Sequence, residues 1–568
     1  MPDKPKLERT KSMPIDLLTK QGEALLSSNE TPWQVYPRPQ MRRSSYVNLN
    51  GQWAFSAGKE DFSQTIRVPF CPESQLSGVQ QHFPEDTPLF YRRKFTLPEG
   101  FNKGRILLHI GAADQIAEIY VNHKHLATHE GGYEAFSVDI TDALQEENEL
   151  VIRCTDDLRD KTFPYGKQVM KRGGMWYTPV SGIWQTVWLE SVPQHYIRKL
   201  NIENRGASVT ISAEPPMEGK ITIADLGEYP LGSTITPEDP HLWSPEDPYL
   251  YEFTVETAED KVESYFALRS LEIKTVKGQP RLCLNGKPYF FHGLLDQGYW
   301  PDGLFTPAHP ECYAEDILAM KNLGFNMLRK HIKVEPEEFY YQCDKLGMVV
   351  FQDMVNNGAY NFFRDTALPT IGIQKLNDKN LHKDPKTRQR FLDCMTATVN
   401  QLKNHPCICY WTIFNEGWGQ FDSDNVCDQF RKLDDTRFID ATSGWFRRSN
   451  TDVDSRHVYF KPVKLKPSDK PLVLSEFGGY SFKPEDHVFN TEQTYGYGKF
   501  EDMDEFADAV EKLYLNEILP AKAVGLSAAV YTQVSDVEDE TNGLRSYDRK
   551  VTKLDPARMT AIAEALKG

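Results

Sequence analysis

The chain predicts three units in series: two antiparallel β-sandwiches followed by a parallel (β/α)8 barrel. Three observations carry this. Residues 28–193 alternate apolar and polar positions in short segments between turn residues, the period-2 pattern of half-buried sandwich strands. Residues 194–278 repeat that pattern in a shorter form. From 279 to 568, continuous apolar runs alternate with amphipathic stretches, as in βα units whose strands are buried on both faces. At 568 residues the chain exceeds what one hydrophobic core supports.

Residues 1–27 form an N-terminal extension, charged and without the apolar core of a signal peptide. The first sandwich is typified by Arg105–Ile110 and Ala117–Asn122. Between two of its strands lies Asp156 to Tyr177, carrying Phe163, Tyr165, Lys167, Gln168 and Trp176. A loop longer than ~12–15 residues is usually functional or disordered, and its aromatic content favours function. In the second sandwich, Pro237–Pro245 reads as a surface loop before one more strand pair. The barrel strands are expected at 289–295, 325–331, 348–354, 408–415, 437–442, 457–460, 471–475 and 526–534. Helices are expected at Glu311–Leu323, Pro336–Leu346 and Met503–Ile518.

The net charge of −16 argues against nucleic acid or an anionic membrane surface as partner. No run approaches the ~18 apolar residues of a membrane span. Nine cysteines, an odd number, fall partly within apolar segments (Cys283, Cys343, Cys407, Cys409). They read as reduced buried thiols, which implies a cytoplasmic protein. No CxxC pair has zinc spacing, and no glycine loop with its lysine cradles phosphate. Neither a metal nor a cofactor is called for.

Two carboxylates stand out. Glu416 ends the run Cys407–Asn415, and Glu476 ends Pro471–Ser475. In a barrel both lie at the C-terminal strand ends, where active sites are built. Asp296, His331, Asp353 and Gln533 lie there too. Beside low-dielectric packing, two such groups can have their pKa values moved and divide acid and nucleophile roles. Glycoside hydrolysis needs that pair.

Motifs along the chain then add an independent resemblance. Leu49–Trp53, Val68–Ser74, Tyr91–Arg93, Gly131–Tyr133, Asp139–Thr141 and Val180–Trp188 come first, followed by Phe414–Gly417, Leu474–Gly478, Tyr531–Glu538 and Asn542–Leu544. In this order they resemble glycoside hydrolase family 2, the β-galactosidases, β-glucuronidases and β-mannosidases. The resemblance implies a jelly-roll sugar-binding-like domain, an immunoglobulin-like sandwich and a catalytic barrel. It implies a retaining mechanism, with Glu416 as acid/base, Glu476 as nucleophile and Asn415 on the sugar 2-hydroxyl. His457 and Tyr459 resemble the family His-x-Tyr whose tyrosine bonds the nucleophile, although Phe460 follows where many relatives carry Pro. His331 matches a pocket histidine; an interior histidine with satisfied hydrogen bonds is the alternative. Arg329 would hold the glutamates ionised or oriented. Asp296 and Asp353 would grip hydroxyls or cap turns, and Trp418 and Trp445 would be stacking platforms or core.

The family's uronide-binding Asn-x-Lys reads Asn542-Gly543-Leu544 here, which demotes uronic acids. The expected activity is therefore exo-hydrolysis of a neutral, β-galactoside-like sugar in an oligosaccharide or glycoside. Arabinoside, galactofuranoside, β-mannoside and β-glucuronide specificities stay open, as does a non-catalytic carbohydrate-binding protein. The family admits a bound cation, whose ligands no spacing places here, and a homo-oligomer is left open. The Asp156–Tyr177 loop is expected at the catalytic face, with Lys167 and Gln168 as polar contacts and Trp176 as a wall or an anchor.

Overall fold

The computed structural model describes residues 16–373 and 377–567. The first fifteen residues of the N-terminal extension lie outside them. The first unit is a two-sheet antiparallel sandwich. A four-stranded sheet (46–48, 187–192, 105–110, 136–139) faces a six-stranded one (64–68, 51–57, 89–95, 148–155, 116–121, 124–130). The alternation read from the sequence points one face of each strand inward, and Trp53, Phe55, Tyr91, Leu108, Ile119, Ile152 and Leu189 form the core. The second unit packs a three-stranded against a four-stranded sheet over Ile202, Ile211, Phe253 and Val255.

The third unit is the parallel barrel: β1 (Phe291–Asp296), β2 (Met327–Lys330), β3 (Val349–Asp353), β4 (Ile408–Asn415), β5 (Phe438–Ser443), β6 (Asp454–Val458), β7 (Leu472–Gly478) and β8 (Leu526–Thr532). They pair in the order β5-β4-β3-β2-β1-β8-β7-β6. Between β5 and β6 no backbone ladder forms; side chains bridge the seam, with Ser443 Oγ 3.1 Å from His457 Nε2. Helices α1 (Glu311–Asn322), α2 (Glu337–Leu346), α3 (Pro385–Leu402), α4 (Ser423–Leu433), α5 (Met503–Leu513) and α6 (Pro556–Lys567) pack outside. Among the described residues no helix follows β5 or β6. The expected strand at 457–460 lies at 454–458, because Tyr459 and Phe460 already leave the ladder for the rim. The predicted helix to Ile518 ends as a regular helix at Leu513 and continues as a wider turn over Tyr514–Ile518. A hairpin at 271–284 closes the N-terminal end of the barrel, with Leu282 and Leu284 in its core.

Glu190 joins the units. It accepts from Tyr36 and Arg38 at 2.9 Å and from Arg43 at 3.1 Å, while Arg43 also pairs with Asp260 of the second sandwich. All nine cysteines are free and buried. No described helix is long and apolar enough to cross a membrane.

Candidate active site

β4 ends in Asn415, and Glu416 follows with φ +50°, in the left-handed region. Such a backbone costs a non-glycine residue about 1–3 kcal/mol. The Glu416 amide donates to Ser443 O at 3.0 Å, which holds the turn. Gly417 comes next because a Cβ there would meet the Phe446 ring at 2.4 Å. This geometry aims the Glu416 carboxyl across the barrel mouth, where its Oε1 lies 2.8 Å from His457 Nδ1. Glu476, on β7, receives Arg329 at 3.1 Å and the Tyr459 hydroxyl at 2.8 Å, and lies 3.5 Å from the same His457 nitrogen. One carboxylate oxygen of each glutamate and the His457 nitrogen all fall within 4.8 Å of one another.

The two environments push the carboxyls apart. Burial, the largest influence, raises Glu416, and the nearby Glu476 charge adds to it, against the pull of His457. Burial also pushes Glu476 up, but the positive charges of His457, Arg329, His331 and Lys167 outweigh it and leave that group below the ordinary carboxylate value. Burial holds His331 down at about 4. For the Arg329 guanidinium, burial is outweighed by Asp353 and Glu476, which push it above its ordinary value, so Arg329 keeps its charge beside Glu476.

Arg329 organises the floor. Buried on β2, it donates to Asp353 at 3.0 Å, Asn415 Oδ1 at 2.8 Å, the Ser475 carbonyl at 2.9 Å and Glu476. The buried basic partner that neither glutamate strand supplies locally thus comes from across the barrel. Asn415 spends its oxygen on Arg329 and leaves its Nδ2 buried with no partner. Such a donor costs free energy unless a ligand accepts from it. Asp353 is buried, with Arg329 Nε 3.0 Å from one of its oxygens and His331 Nδ1 2.8 Å from the other. Asp296 accepts from Lys330 at 2.7 Å and from the Gly298 amide, and keeps partial exposure. Gln533 donates to Asn542 at 2.7 Å with its oxygen unpartnered.

The Asp156–Tyr177 loop docks between the β3 and β8 loops. The Tyr165 amide donates to Asn356 O at 3.0 Å and its hydroxyl to Gly358 O at 2.9 Å; the Thr178 amide donates to Glu538 at 2.9 Å. Trp176 stacks on Trp418, with centroids 5.3 Å apart, and touches Tyr360. Lys167 is only 7 % exposed, its ammonium 4.9 Å from the Trp418 ring centroid. Gln168 departs from the expectation of a substrate contact. It is 0 % exposed and binds Asp114, Tyr133 and the Val180 amide beneath the loop. Trp418 is buried with its Nε1 unpartnered, whereas Trp445 is half-buried with its ring 6.2 Å from His457. Sequence reasoning missed Tyr497, which stacks on Tyr459 at 4.2 Å, and Glu540, which accepts from Asn542 and Tyr177. Nothing local distinguishes them, since both come from loops that only the closed barrel brings to the site.

Glu416, His457 and Glu476 could in geometry hold a metal ion. Arg329, 3.1 Å from Glu476 and 3.5 Å from His457 Nε2, already supplies positive charge there, which disfavours a second cation.

The sequence matches three models of one family: "Glycosyl hydrolase 2 galactose-binding domain-like" over 63–201, "Glycosyl hydrolases family 2" over 195–269, and "Glycosyl hydrolases family 2, TIM barrel domain" over 275–479. The chain belongs to glycoside hydrolase family 2. A β-galactosidase of Thermoanaerobacter pseudethanolicus is 23% identical over 77% of this chain and 61% of its own. A β-glucuronidase of Felis catus is 25% identical over 67% and 65%. The chain thus spans less than two thirds of the length of these curated relatives. A solved β-D-glucuronidase from Dictyoglomus thermophilum superposes with a TM-score of 0.73 at 17% identity, covering 94% of this chain and 98% of the other.

Proposed function

We propose that the protein is a retaining exo-glycosidase acting on a glycoside or oligosaccharide, with Glu476 as nucleophile and Glu416 as general acid/base. The observation that carries this is the Glu416–His457–Glu476 cluster, with its atoms within 4.8 Å and its carboxyl pKa values pushed in opposite directions. Retaining enzymes hold their two carboxyls about 5–5.5 Å apart, whereas inverting ones need roughly 6.5–9.5 Å for a water. Glu476, ionised and aligned by Arg329 and Tyr459, would attack the anomeric carbon; Glu416, kept protonated by burial, would protonate the leaving oxygen. It would then take a proton from the water that releases the sugar. The unpartnered Asn415 Nδ2 is suited to an acceptor on the sugar. Replacing Glu476 by Gly should abolish hydrolysis, and azide should restore turnover with an azide product of inverted configuration. Retention of activity without azide would refute the assignment.

For the glycone, the surroundings of Asn542 favour a neutral, galactoside-like sugar. Leu544 is buried, Asn542 is spent on Gln533 and Glu540, and Glu540 adds a carboxyl there. A uronide has one observation on its side besides the several relatives named glucuronidases: among the described residues the Lys167 ammonium has neither hydrogen bond nor ion pair, lies over the Trp418 ring, and its charge acts on Glu416 and Glu476. A nitrophenyl-glycoside screen over galactosides, glucuronides, mannosides and furanosides separates the two. Binding without turnover across that panel would favour a carbohydrate-binding protein instead.

A further inference from the structure

Phe460 is the most exposed of the large apolar side chains among the described residues, at 80 %, and its backbone is left-handed, with φ +58°. Both are unfavourable for a phenylalanine in the free protein, and residues held this way concentrate at ligand sites. Its surroundings give the ring a context. Phe460 meets Tyr497 edge-on, with centroids 4.4 Å apart and planes at 86°. Tyr497 stacks on Tyr459 at 4.2 Å, and the Tyr459 hydroxyl donates to Glu476 at 2.8 Å. An unbroken aromatic path therefore runs from the carboxylate that would attack the sugar to open solvent. The buried end of the site holds Arg329, Asn415 and both glutamates, so the glycone belongs there. What lies against the rim is the group on the other side of the scissile bond. A phenyl ring offers that group no hydrogen bond. It offers apolar area and a π-face, on which a sugar ring can stack only its C–H face, whereas an aryl or long alkyl group can bury most of its surface.

We propose that Phe460 and Tyr497 form a leaving-group subsite that favours apolar aglycones, aryl or long alkyl, over small ones. This rests on the reading of Glu416 and Glu476 as the glycosidase pair. The test compares octyl with methyl β-glycosides, whose leaving alcohols have similar acidity, so that a preference reports binding rather than chemistry. Galactosides and glucuronides are both used. The octyl substrate should be favoured in kcat/KM by about tenfold or more. Phe460→Ala should collapse that ratio toward one, and Phe460→Leu should keep part of it. Non-hydrolysed octyl and methyl thioglycosides, measured by calorimetry, should show the same ratio in Kd. Turnover with no octyl preference, or a preference that survives Phe460→Ala, overturns the subsite and leaves the catalytic reading intact. Tight octyl-thioglycoside binding lost in Phe460→Ala, with no turnover of any glycoside, supports the subsite and overturns the catalytic reading. Loss of a dimer in Phe460→Ala with unchanged selectivity assigns the ring to a contact between copies and overturns the proposal.

Discussion

Arg329 shows how much of the site one side chain decides. Its guanidinium bonds Asp353, Asn415 and Glu476 while almost wholly buried, so its removal strands two carboxylates in a low-dielectric interior. Breaking a buried pair in this way costs about 3–5 kcal/mol. The pH profile should report it as well. Glu476, held below the ordinary carboxylate value, must be ionised, and Glu416, raised above it, must be protonated. Activity should thus rise with pH through the Glu476 value, plateau, and fall as Glu416 loses its proton. Arg329→Met should move the ascending limb to higher pH, because the charge that favours ionised Glu476 is gone, and leave the descending limb in place. Arg329→Lys should restore much of the limb position but not the bond to Asn415, since an ammonium cannot span the same fork. An unmoved ascending limb in Arg329→Met would assign Arg329 a purely structural role.

At the scale of the element, the Asp156–Tyr177 segment is a loop of the first sandwich that packs against the barrel loops, the wall proposed for its site. Hydrogen bonds from Tyr165 to Asn356 and Gly358 and from the adjoining Thr178 to Glu538, with the Trp176–Trp418 stack, hold Lys167 over the Trp418 ring. Its aromatic content pointed to function, and its destination could not be read, because a loop's partners lie on a different domain. Shortening it across Val169–Met175 should raise KM several-fold and admit internal linkages. The melting temperature should change little, since the sandwich core of Trp53, Tyr91 and Ile152 is untouched. Unchanged KM and linkage specificity in a folded variant would remove the wall assignment. Seven of the eight barrel strands were legible as apolar runs, with β4 matching residue for residue. β6 was not, because its ladder begins with the polar Asp454, Ser455 and Arg456, while Tyr459 and Phe460 keep strand-like composition after it ends.

At the scale of the whole molecule, two buried carboxyls of the first domain contribute stability that is lost as pH rises. Burial, the largest influence on each, raises Glu73 to about 7 and Asp114 to about 7. Asp114 supports the active-site loop by accepting from Gln168 at 3.1 Å. A carboxyl whose folded pKa exceeds its unfolded value binds protons more tightly when folded, so its contribution is complete below about pH 4 and is lost as pH rises through about 7. The difference in melting temperature between the parent and Asp114→Asn should therefore fall between pH 5 and pH 8, as the contribution of Asp114 is lost. A difference that grows over this window would contradict the assignment. The charge of −16 acts in the same direction, since like-charge repulsion grows as these groups ionise.

By itself the sequence determined the order of the three units, the strands that become β1 to β5, β7 and β8, and the two glutamates at strand ends. These follow from periodicity and from the burial that an apolar run enforces, which are local properties of the chain. Only the tertiary structure decided that Arg329 reaches Glu476 and Asn415, that His457 stands between the two glutamates, that Gln168 turns inward while Lys167 lies over the Trp418 ring, and that Phe460 ends in solvent. Each of these depends on groups far apart in sequence meeting across a closed barrel or between domains. Burial and charge at such meeting points are sums over neighbours that no local pattern contains.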